Sequence, residues 1–563
     1  MNLHAHDQKL TSISDYYSAT QLRSDRWSAL RETVEALTRH RGEERKTKKL
    51  IARAEALFEA LAPIELYWAF PGNVGFEHLR RLLDSGNIDD LAISVRRVVR
   101  ALTSGAYRRR TIPLMADDSD NEDFEDEASF SPEARALGRP YFEVLVVDNV
   151  NEHQEKWLRA SLQKMRRAED SFIYEAVVVP SLEDALIGIL FNHNVQAVVV
   201  RPGLTLKSRN SVELLKRYLN RVGSDEDVDS FEPSDYGPEA CRLIAKVRPE
   251  LDAYLITDRS AEDIAGLDLG LCRRVFYNQE DFLELHLNIL RGVNRRFKTP
   301  FFSALKEYSK QPTGVFHAMP ISRGKSISRS HWIQDMGAFY GPNIFLAETS
   351  ATSGGLDSLL EPRGPIKEAQ EYAARAFGSK HTFFATNGTS TCNKIVVQAL
   401  VRPGDIVLVD RDCHKSHHYG MVLAGANVVY MDSYPLNEYS MYGAVPLKEI
   451  KHHLLKLKAA GKLDRVRMVL LTNCTFDGIV YNVERVMEEC LAIKSDLVFL
   501  WDEAWFAFAR FGPTYRQRTA MSVAGGLREK LKTEEHKAAY EAQQKKLKGA
   551  DDAKLLNTRL VPP

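Results

Sequence analysis

Three apolar segments of the chain each run into polar residues of types that bind cofactors. Residues 383–391 pass from Phe-Phe-Ala into Thr-Asn-Gly-Thr-Ser-Thr, residues 407–416 end in Asp-Arg-Asp-Cys-His-Lys-Ser, and residues 498–505 read Val-Phe-Leu-Trp-Asp-Glu-Ala-Trp. Open α/β sheets bind their ligands at the carboxyl ends of the strands. The pattern therefore predicts one binding site built from three strand ends.

The first of these strand ends has the residue types of a phosphate-binding loop. Gly388, Thr389 and Ser390 follow the apolar run and precede a predicted helix. A chain that turns through glycine into a helix presents backbone N–H groups and hydroxyls, which together bind phosphate. A Ser or Thr helix cap explains the same residues equally well when this motif is considered alone.

The other two strand ends offer an imidazole and a carboxylate. His414 could stack on a planar ring, or it could bind a metal with His417 and His418, although adjacent histidines point in different directions. From spacing alone, a cluster of surface histidines is the expected arrangement. Asp502 could pair with a protonated ring nitrogen and keep a pyridinium charged, or it could cap the next helix.

Composition limits the class of protein. The chain has 563 residues, 44% of them hydrophobic and 27% charged, with zero formal net charge. That length predicts two to four domains. The balanced charge gives no reason to expect nucleic acid or an acidic membrane as a partner, and no apolar run is long enough for a membrane span. Six scattered cysteines indicate reduced thiols and, with no signal peptide, a cytoplasmic protein.

Changes of composition along the chain predict six segments. Strands alternating with helices after residue 139 predict doubly wound parallel sheets, so the fold class is α/β. The segments are a helical N-terminal region (1–115), an acidic linker (116–138), a doubly wound domain (139–280), a helical connector (281–312), a large α/β domain (313–521) and a charged helical tail (522–563).

Local patterns place individual elements within these segments. Apolar spacing predicts a helix over residues 50–61 that Pro63 stops, and a helix over 366–377 that Gly378 caps. The strands predicted in the large domain are residues 382–385, 406–409, 428–431, 469–472 and 497–501. Gly324-Lys325-Ser326 does not complete a P-loop, because Met319 stands where that motif requires glycine.

The doubly wound domain resembles a response-regulator receiver domain, which has a flavodoxin-like fold. Its first predicted strand ends at Asp148, and further strands cover residues 176–179, 197–200 and 253–257. The third strand, however, ends in Arg201-Pro202-Gly203, where a receiver carries its phosphorylated Asp. We therefore expect a structural or assembly role for this domain.

Taken together, the motifs of the large domain resemble the Orn/Lys/Arg decarboxylase family, group I, whose members depend on pyridoxal 5'-phosphate (PLP). This family has the aspartate-aminotransferase fold, so the resemblance implies a PLP-transferase type I major domain preceded by a receiver-like wing. The resemblance covers roughly residues 300–521. The matching stretches are residues 356–360, 386–394, 410–416, 475–482 and 501–505.

The resemblance also implies roles for single residues. Gly388, Thr389 and Ser390 would bind the phosphate, and His414 would stack on the pyridine ring. Asp502 would pair with the ring nitrogen. Ala504 would pack on the opposite face of the ring. Trp505 and Asp477 would be supporting residues. His414 and Asp502 are the residues expected to matter most for catalysis.

The implied reaction is the decarboxylation of arginine, lysine or ornithine to the corresponding amine and carbon dioxide. PLP would be the cofactor and no metal would be needed. The resemblance implies a homodimer or a larger oligomer as the assembly. It implies neither a nucleic acid nor a membrane as a partner.

One family feature is absent from its expected place. The family carries the lysine that bonds PLP in a Ser-x-His-Lys motif on a strand beyond the Asp, whereas this chain has Glu535-His536-Lys537 in a charged helical segment. We expect Lys537 to be a surface residue and the chain to be the N-terminal part of a longer enzyme. Two alternatives stay open: a non-catalytic PLP-binding or regulatory subunit that pairs with a complete paralogue, and another fold-type I lyase or aminotransferase.

Overall fold

The computed structural model describes residues 13–40, 42–108, 139–167, 169–210, 212–222, 231–265, 272–277, 282–316, 319–331, 334–350 and 355–563. The chain divides into two compact units, Met1–Phe297 and Lys298–Pro563. The acidic linker predicted at 116–138 lies outside the described residues. In the ranges that the structure describes, no helix is both long and apolar enough to cross a membrane.

The first unit begins with four helices that share an apolar core. They are α1 (Ile13–Arg39), α2 (Glu44–Glu65), α3 (Gly72–Asp84) and α4 (Ile88–Ser104). Trp27, Phe58, Phe76 and Val95 are among the side chains buried between them. The helical N-terminal region predicted from the sequence is therefore confirmed over the residues described.

The predicted helix stop at Pro63 is wrong, because α2 continues to Glu65 with Pro63 inside it. Proline lacks the N–H that would bond to the carbonyl of Glu59. Since Pro63 lies two residues before the end of the helix, only this one hydrogen bond is lost. The helix then ends with the chain turning at Leu66.

A five-stranded parallel sheet completes the first unit. Its strands are β1 (Tyr141–Val147), β2 (Ile173–Val179), β3 (Val195–Val200), β4 (Asp252–Thr257) and β5 (Cys272–Tyr277), in the order β2-β1-β3-β4-β5. This is the flavodoxin-like order that the receiver resemblance implies. The helices of this part are α5 (Glu152–Lys164), α6 (Leu182–Phe191), α7 (Glu213–Val222), α8 (Tyr236–Val247), α9 (Ala261–Ala265) and α10 (Phe282–Phe297).

The edge strand β5 was not predicted from the sequence. Four predicted strands are confirmed, and they consist of buried apolar runs. By contrast β5 reads Cys-Arg-Arg-Val-Phe-Tyr, and only Phe276 of it is buried. Edge position alone does not explain this, because β2 lies at the other edge and is a buried run. The two exposed arginines of β5 interrupt the apolar pattern by which the other strands were predicted.

An ion pair closes the place where a ligand would bind to this first sheet. The strand order reverses between β1 and β3, and open α/β sheets bind ligands at such a point. There Arg201 Nη1 lies 2.6 Å from Asp148 Oδ2. A Cβ added to Gly203 would lie 2.1 Å from Asp148 Oδ1, so only glycine fits beside the pair. The protein's own groups fill the crevice, which favours the structural role expected for this domain.

The second unit is organised around a four-stranded parallel sheet. Its strands are β6 (Ile406–Asp410), β7 (Asn427–Met431), β10 (Val466–Thr472) and β11 (Val498–Asp502), while β8 (Pro435–Leu436) and β9 (Met441–Tyr442) form a short hairpin. The order of the four strands is β11-β10-β6-β7. Apolar side chains are buried on both faces of this sheet. The four corresponding strands predicted from the sequence are confirmed, and the fold is α/β.

Helices cover the sheet and form the rest of the second unit. In chain order they are α11 (Pro300–Lys310), α12 (Lys325–Ser328), α13 (Gln334–Tyr340), α14 (Asn343–Leu346), α15 (Pro365–Phe377), α16 (Thr389–Leu400), α17 (Lys415–Ala424), α18 (Leu447–Ala459), α19 (Val483–Leu491), α20 (Pro513–Arg516), α21 (Ala520–Lys530), α22 (Glu534–Lys546) and α23 (Asp552–Asn557). Gly378 caps α15 with φ +73°, as predicted.

The strand predicted at residues 382–385 is wrong. The structure places no regular element over this segment. Phe383 and Phe384 are 83% and 40% exposed, so the segment is not buried either. A strand needs a neighbour to satisfy its N–H and C=O groups. Each of the four strands of the sheet pairs within the order β11-β10-β6-β7, and residues 382–385 have no partner among them.

Asp357 organises the entry into α15. Its carboxylate accepts the backbone N–H groups of Ser358, Arg363, Gly364 and Ile366 at 2.8–3.0 Å. Desolvation raises the pKa of a carboxyl group, but these four donors outweigh it and lower the pKa of Asp357 to about 2. Residues 356–360, one of the stretches that carry the family resemblance, thus form a turn that the Asp357 carboxylate stabilises.

The tail is anchored by a buried lysine. Lys451, on α18, is 2% exposed and donates to Glu489 Oε2 at 2.6 Å, to Thr558 O at 2.8 Å and to Leu556 O at 3.4 Å. His536 is buried as well, and its Nε2 lies 3.0 Å from Pro562 O. The sequence predicts an exposed helix over 527–548, whereas the structure has two helices with buried contacts. Lys537 itself is exposed, as expected.

We predict that Lys451→Ala lowers the free energy of unfolding of the second unit by about 3 kcal/mol, because Glu489 loses a buried ionic partner. Urea denaturation measures the change, and limited proteolysis shows whether α23 is released. Lys448→Ala is the matched control: this exposed lysine lies on the same helix and, within the described ranges, bonds Asn557 Oδ1 at 3.1 Å. It should cost less than about 0.5 kcal/mol. Equal effects of the two substitutions would contradict the anchoring role.

A second prediction concerns Asp357→Asn. Ionised Asp357 stabilises the fold above its unfolded pKa, and this contribution is lost as pH falls through the folded pKa of about 2. We expect Asp357→Asn to cost about 1 kcal/mol at pH 7, the usual cost of losing a cap, since the carboxylate is open to solvent. The difference from the parent chain should narrow below about pH 4. Urea titrations across this pH range measure it, with the exposed Glu361→Gln as control; a difference independent of pH would refute it.

Candidate functional site

Asp502, the last residue of β11, is a buried carboxylate that accepts three hydrogen bonds. It is 6% exposed. Its Oδ1 accepts the backbone N–H of Ala504 at 3.1 Å, and its Oδ2 lies 3.1 Å from Asn393 Nδ2 and 2.8 Å from His417 Nε2. Burial by itself raises the pKa of Asp502, but these donors, His417 foremost, outweigh burial and bring the pKa below its ordinary value. Asp502 is therefore an ionised, fixed acceptor.

A chain of hydrogen bonds joins Asp502 to His414. Asn393, on α16, donates to Asp502 and also to Ser416 Oγ at 3.1 Å. Ser416 Oγ in turn lies 2.8 Å from His414 Nδ1, which also accepts the Ser416 N–H at 3.3 Å. Because Nδ1 accepts, the neutral His414 ring carries its proton on Nε2. The structure thus brings together two predicted site residues through two that were not predicted.

The predicted phosphate loop forms the N-terminus of α16. Gly388 is the residue before the helix, with φ +73° and ψ −173°, and Thr389 and Ser390 open its first turn. Asn387 also has a positive φ, of 68°. A positive φ at both residues bends the chain sharply into the helix. The first N–H groups of a helix have no partner within it, so this turn offers donors to an anion at the start of the same helix that carries Asn393.

The two residues predicted after Asp502 are both exposed. Ala504 is tied to the site through its N–H, which Asp502 accepts. The Trp505 ring is 67% exposed and packs edge-on against Phe476, with ring centroids 6.1 Å apart. The described contacts therefore connect Ala504 to Asp502, and they connect Trp505 to the 475–482 motif. Asp477, in that motif, is exposed.

Glu503 fixes the chain that leaves β11. Its Oε1 accepts Asn473 Nδ2 at 2.6 Å and the N–H of Ala520 at 2.8 Å. The backbone N–H of Asn473 donates to Asp502 O at 2.9 Å. Burial raises the pKa of Glu503, and the negative charge of Asp502 adds to this. The ends of β10 and β11 are thereby held to α21, which keeps Asp502 in place.

The expected cluster of surface histidines is wrong for His417. Its side chain is fully buried against Asp502. His418 is only partly buried, and its Nδ1 lies 3.1 Å from the Tyr430 hydroxyl. The two rings therefore point to different places, as adjacent residues should. In the part of the chain that is described, no group of three or more His, Cys, Asp or Glu residues could bind a metal.

Asn393, Ser416 and His417 were not assigned roles from the sequence, although the spacing of Asn393 and His417 carries a signal. Asn393 lies four residues after Thr389, and side chains four apart share one face of a helix. Ser416 and His417 fall in the first turn of α17, directly after His414. Helical spacing would have pointed to Asn393 from the predicted phosphate loop and to His417 from His414, whereas Ser416, two residues after His414, has no such signal.

Comparison with known proteins places these motifs in a family. The family model described as Orn/Lys/Arg decarboxylase, major domain, matches residues 299–543. These residues belong to the Orn/Lys/Arg decarboxylase family. The segment contains the Asp502 cluster, the α16 N-terminus and His414, so the family resemblance expected from the motifs is confirmed.

Relatives named for each of the three basic amino acids match the chain. A lysine decarboxylase of Pseudomonas aeruginosa, LdcA, is 33% identical over 296 residues, which are 50% of this chain and 39% of that protein. The biodegradative arginine decarboxylase of Escherichia coli is 33% identical over 389 residues, 67% of this chain and 48% of that protein. An ornithine decarboxylase of Haemophilus influenzae is 32% identical, covering 45% and 34%. The matched segments thus span less than half of each relative.

Solved structures of lysine decarboxylases also match, at low similarity. Lysine decarboxylase A of Pseudomonas aeruginosa is 27% identical with a TM-score of 0.36, covering 68% of this chain and 50% of that one. The enzyme LdcF of Francisella novicida is 25% identical with a TM-score of 0.37, covering 68% and 49%. The fold is defined by the strand orders of the two parallel sheets.

Proposed function

We propose that the chain binds PLP and forms the cofactor-binding part of a decarboxylase of arginine, lysine or ornithine. The observation that carries this proposal is Asp502: a buried, ionised carboxylate at the end of β11, joined to His414 through Asn393 and Ser416. Names of relatives support the reaction class, since lysine, arginine and ornithine decarboxylases all match. They do not choose among the three substrates.

The hydrogen bonds of Asp502 fit a protonated pyridine nitrogen. An ionised carboxylate has about four acceptor positions, two on each oxygen. Oδ2 uses both of its positions for Asn393 and His417, while Oδ1 uses one for Ala504. One position on Oδ1 is left for a ligand N–H. A carboxylate whose pKa is already depressed is a suitable partner for a cation.

The remaining predicted residues fit the other parts of the cofactor. The Gly388 turn and the N–H groups of Thr389 and Ser390 would hold the phosphate, because helix N-termini bind anions. The flat, exposed ring of His414 would lie against the pyridine ring, oriented by its bonds to Ser416. Ala504 would border the opposite face, and Trp505 would border the site with Phe476.

The chemistry of the cofactor and the work of the protein are separate. When bound, PLP supplies an electron sink for the pair left behind as the α-carboxylate departs. The residues of this chain position it: Asp502 stabilises the charge on the ring nitrogen, and Asn393 and Ser416 keep Asp502 and His414 in fixed relation.

We propose that the lysine that bonds PLP is not Lys537. Support comes from its exposed place on α22, beside His536, which bonds the carbonyl of Pro562. A lysine outside the hydrogen-bonded cluster of Asp502 would then anchor the cofactor. The same feature favours the second candidate function, a PLP-binding or regulatory subunit without turnover of its own. An aminotransferase or another lyase of this fold has no particular observation in its favour.

The cellular location, oligomeric state and partners of the chain also stay predictions. We expect a cytoplasmic protein that forms a homodimer or a larger oligomer and takes a small basic amino acid as substrate. Neither a nucleic acid nor a membrane is an expected partner. Sedimentation of the purified chain would measure the oligomeric state.

Asp502→Ala should weaken PLP binding by at least about tenfold, because a charge-assisted hydrogen bond to the ring nitrogen is worth roughly 1.5–3 kcal/mol. Equilibrium dialysis against PLP, with absorbance to quantify it, gives the dissociation constant. Asp496→Ala is the matched control, since this aspartate lies just before the same strand, 73% exposed and paired with Lys494. Equal affinities of the parent chain and the Asp502 variant would remove Asp502 from the cofactor site.

A second experiment separates the enzyme from the subunit without turnover. Carbon dioxide release from carboxyl-labelled arginine, lysine and ornithine is measured with PLP present. We expect release at most close to background by this chain alone, because Lys537 is not placed as an anchor. We expect release once the chain is extended through its reading frame to a Ser-x-His-Lys strand. If the extended form binds PLP but releases none from any of the three, the decarboxylase proposal fails.

A further inference from the structure

His417 has a feature that the cofactor site described above does not explain. Its side chain is 0% exposed, and it lies in the first turn of α17, three residues after His414. One ring nitrogen, Nε2, lies 2.8 Å from Asp502 Oδ2. The other, Nδ1, is buried and has no hydrogen-bond partner among the described residues.

This arrangement fixes the protonation of the ring. Asp502 Oδ2 only accepts, so Nε2 must carry the hydrogen that joins them. A proton on Nδ1 would be a buried donor without an acceptor, which costs more than a bare nitrogen in the same place. His417 is therefore the Nε2–H tautomer, a donor aimed at Asp502 and at nothing else described.

Burial is the largest influence on the pKa of Asp502 and raises it, and among the groups that lower this pKa His417 contributes most. Its Nε2 lies 2.8 Å from Asp502 Oδ2, the shortest of the three hydrogen bonds that Asp502 accepts. Asn393 also donates to Oδ2, but it is neutral and shares its amide with Ser416. Burial, with the charges of Asp410 and Asp502, raises the pKa of the Cys413 thiol to about 12, so that neighbour carries no charge. His418 bonds Tyr430 rather than Asp502.

We propose that His417 is a positioning residue that keeps Asp502 ionised and turned so that one position on Oδ1 stays available to a ligand cation. The role rests on the proposed function in one respect: the cation is taken to be the protonated ring nitrogen of PLP. His417 does not touch that ring in this scheme. It acts through Asp502, by occupying Oδ2 and thereby holding the plane of the carboxylate.

Two substitutions of similar size separate the hydrogen bond from the packing. His417→Gln keeps an N–H donor near the position of Nε2, whereas His417→Leu fills the space without a donor. His418→Gln is the matched control in the next residue. The first readout is the pKa of the Asp502 carboxyl in the full chain without PLP, followed by NMR with ¹³C-labelled aspartate. The second is the dissociation constant of PLP from equilibrium dialysis.

We expect His417→Leu to raise the pKa of Asp502 by about one pH unit or more and to weaken PLP binding about tenfold or more, since a hydrogen bond to a charged group is lost. His417→Gln should lie within about threefold of the parent chain in affinity, and the control should match the parent. A Leu variant with unchanged pKa and affinity overturns the role of His417. A Gln variant as weak as the Leu variant, with its fold intact, also overturns it.

A measurement on the parent chain covers the case in which the variants fail to fold. With ¹⁵N-labelled histidine at pH 7.5, we expect the ring of His417 to carry its proton on Nε2, and Asp502→Asn to shift that nitrogen. A ring protonated on Nδ1 refutes the inference. If His417→Leu raises the pKa of Asp502 although the parent chain binds no PLP, the proposed function fails while the positioning role stands.

Discussion

The arrangement of the elements around the end of β11 is set by the free-energy cost of burying the Asp502 carboxylate. A buried charge without partners is destabilising by several kcal/mol, so it must collect donors from whatever elements surround it. Here the donors come from three places: Asn393 on α16, His417 on α17 and the backbone after β11. Each of them fixes one element relative to the end of the strand. The phosphate-loop helix, the His414 helix and the sheet are thereby held in one geometry.

The two sheets use the same topology in opposite ways. Both are parallel and both reverse their strand order, at β1–β3 in the first unit and at β6–β10 in the second. In the first, Arg201 forms an ion pair with Asp148 and Gly203 packs against the pair, so a cation of the protein itself already faces that carboxylate. In the second, neutral donors hold the carboxylate and leave it charged. One crevice therefore serves stability, whereas the other fits a ligand cation.

The sequence predicted most strands and missed the features that depend on neighbours. Runs such as 406–409 and 469–472 form strands because both faces are buried, a property visible in the residues themselves. The segment 382–385 is similarly apolar. A strand, however, also needs a neighbouring strand to accept and donate its backbone hydrogen bonds, and composition does not encode that neighbour. Likewise, the residue types of Asp502 and His414 were enough to predict that both belong to a binding site. The burial of His417 and the bridging role of Asn393 emerge only when α16 and α17 pack together.

A comparison of buried charges shows why Asp502 is the better candidate for function than Lys451. Both lie in the second unit and both are nearly inaccessible. Lys451 has three hydrogens and gives them to three acceptors, in Glu489, Leu556 and Thr558, so its bonding is complete within the chain. Asp502 has about four acceptor positions and uses three. A buried charge whose hydrogen-bonding capacity is filled by its own protein, such as Lys451, stabilises the fold. A buried, ionised group with one acceptor position left, such as Asp502, can still bind a ligand.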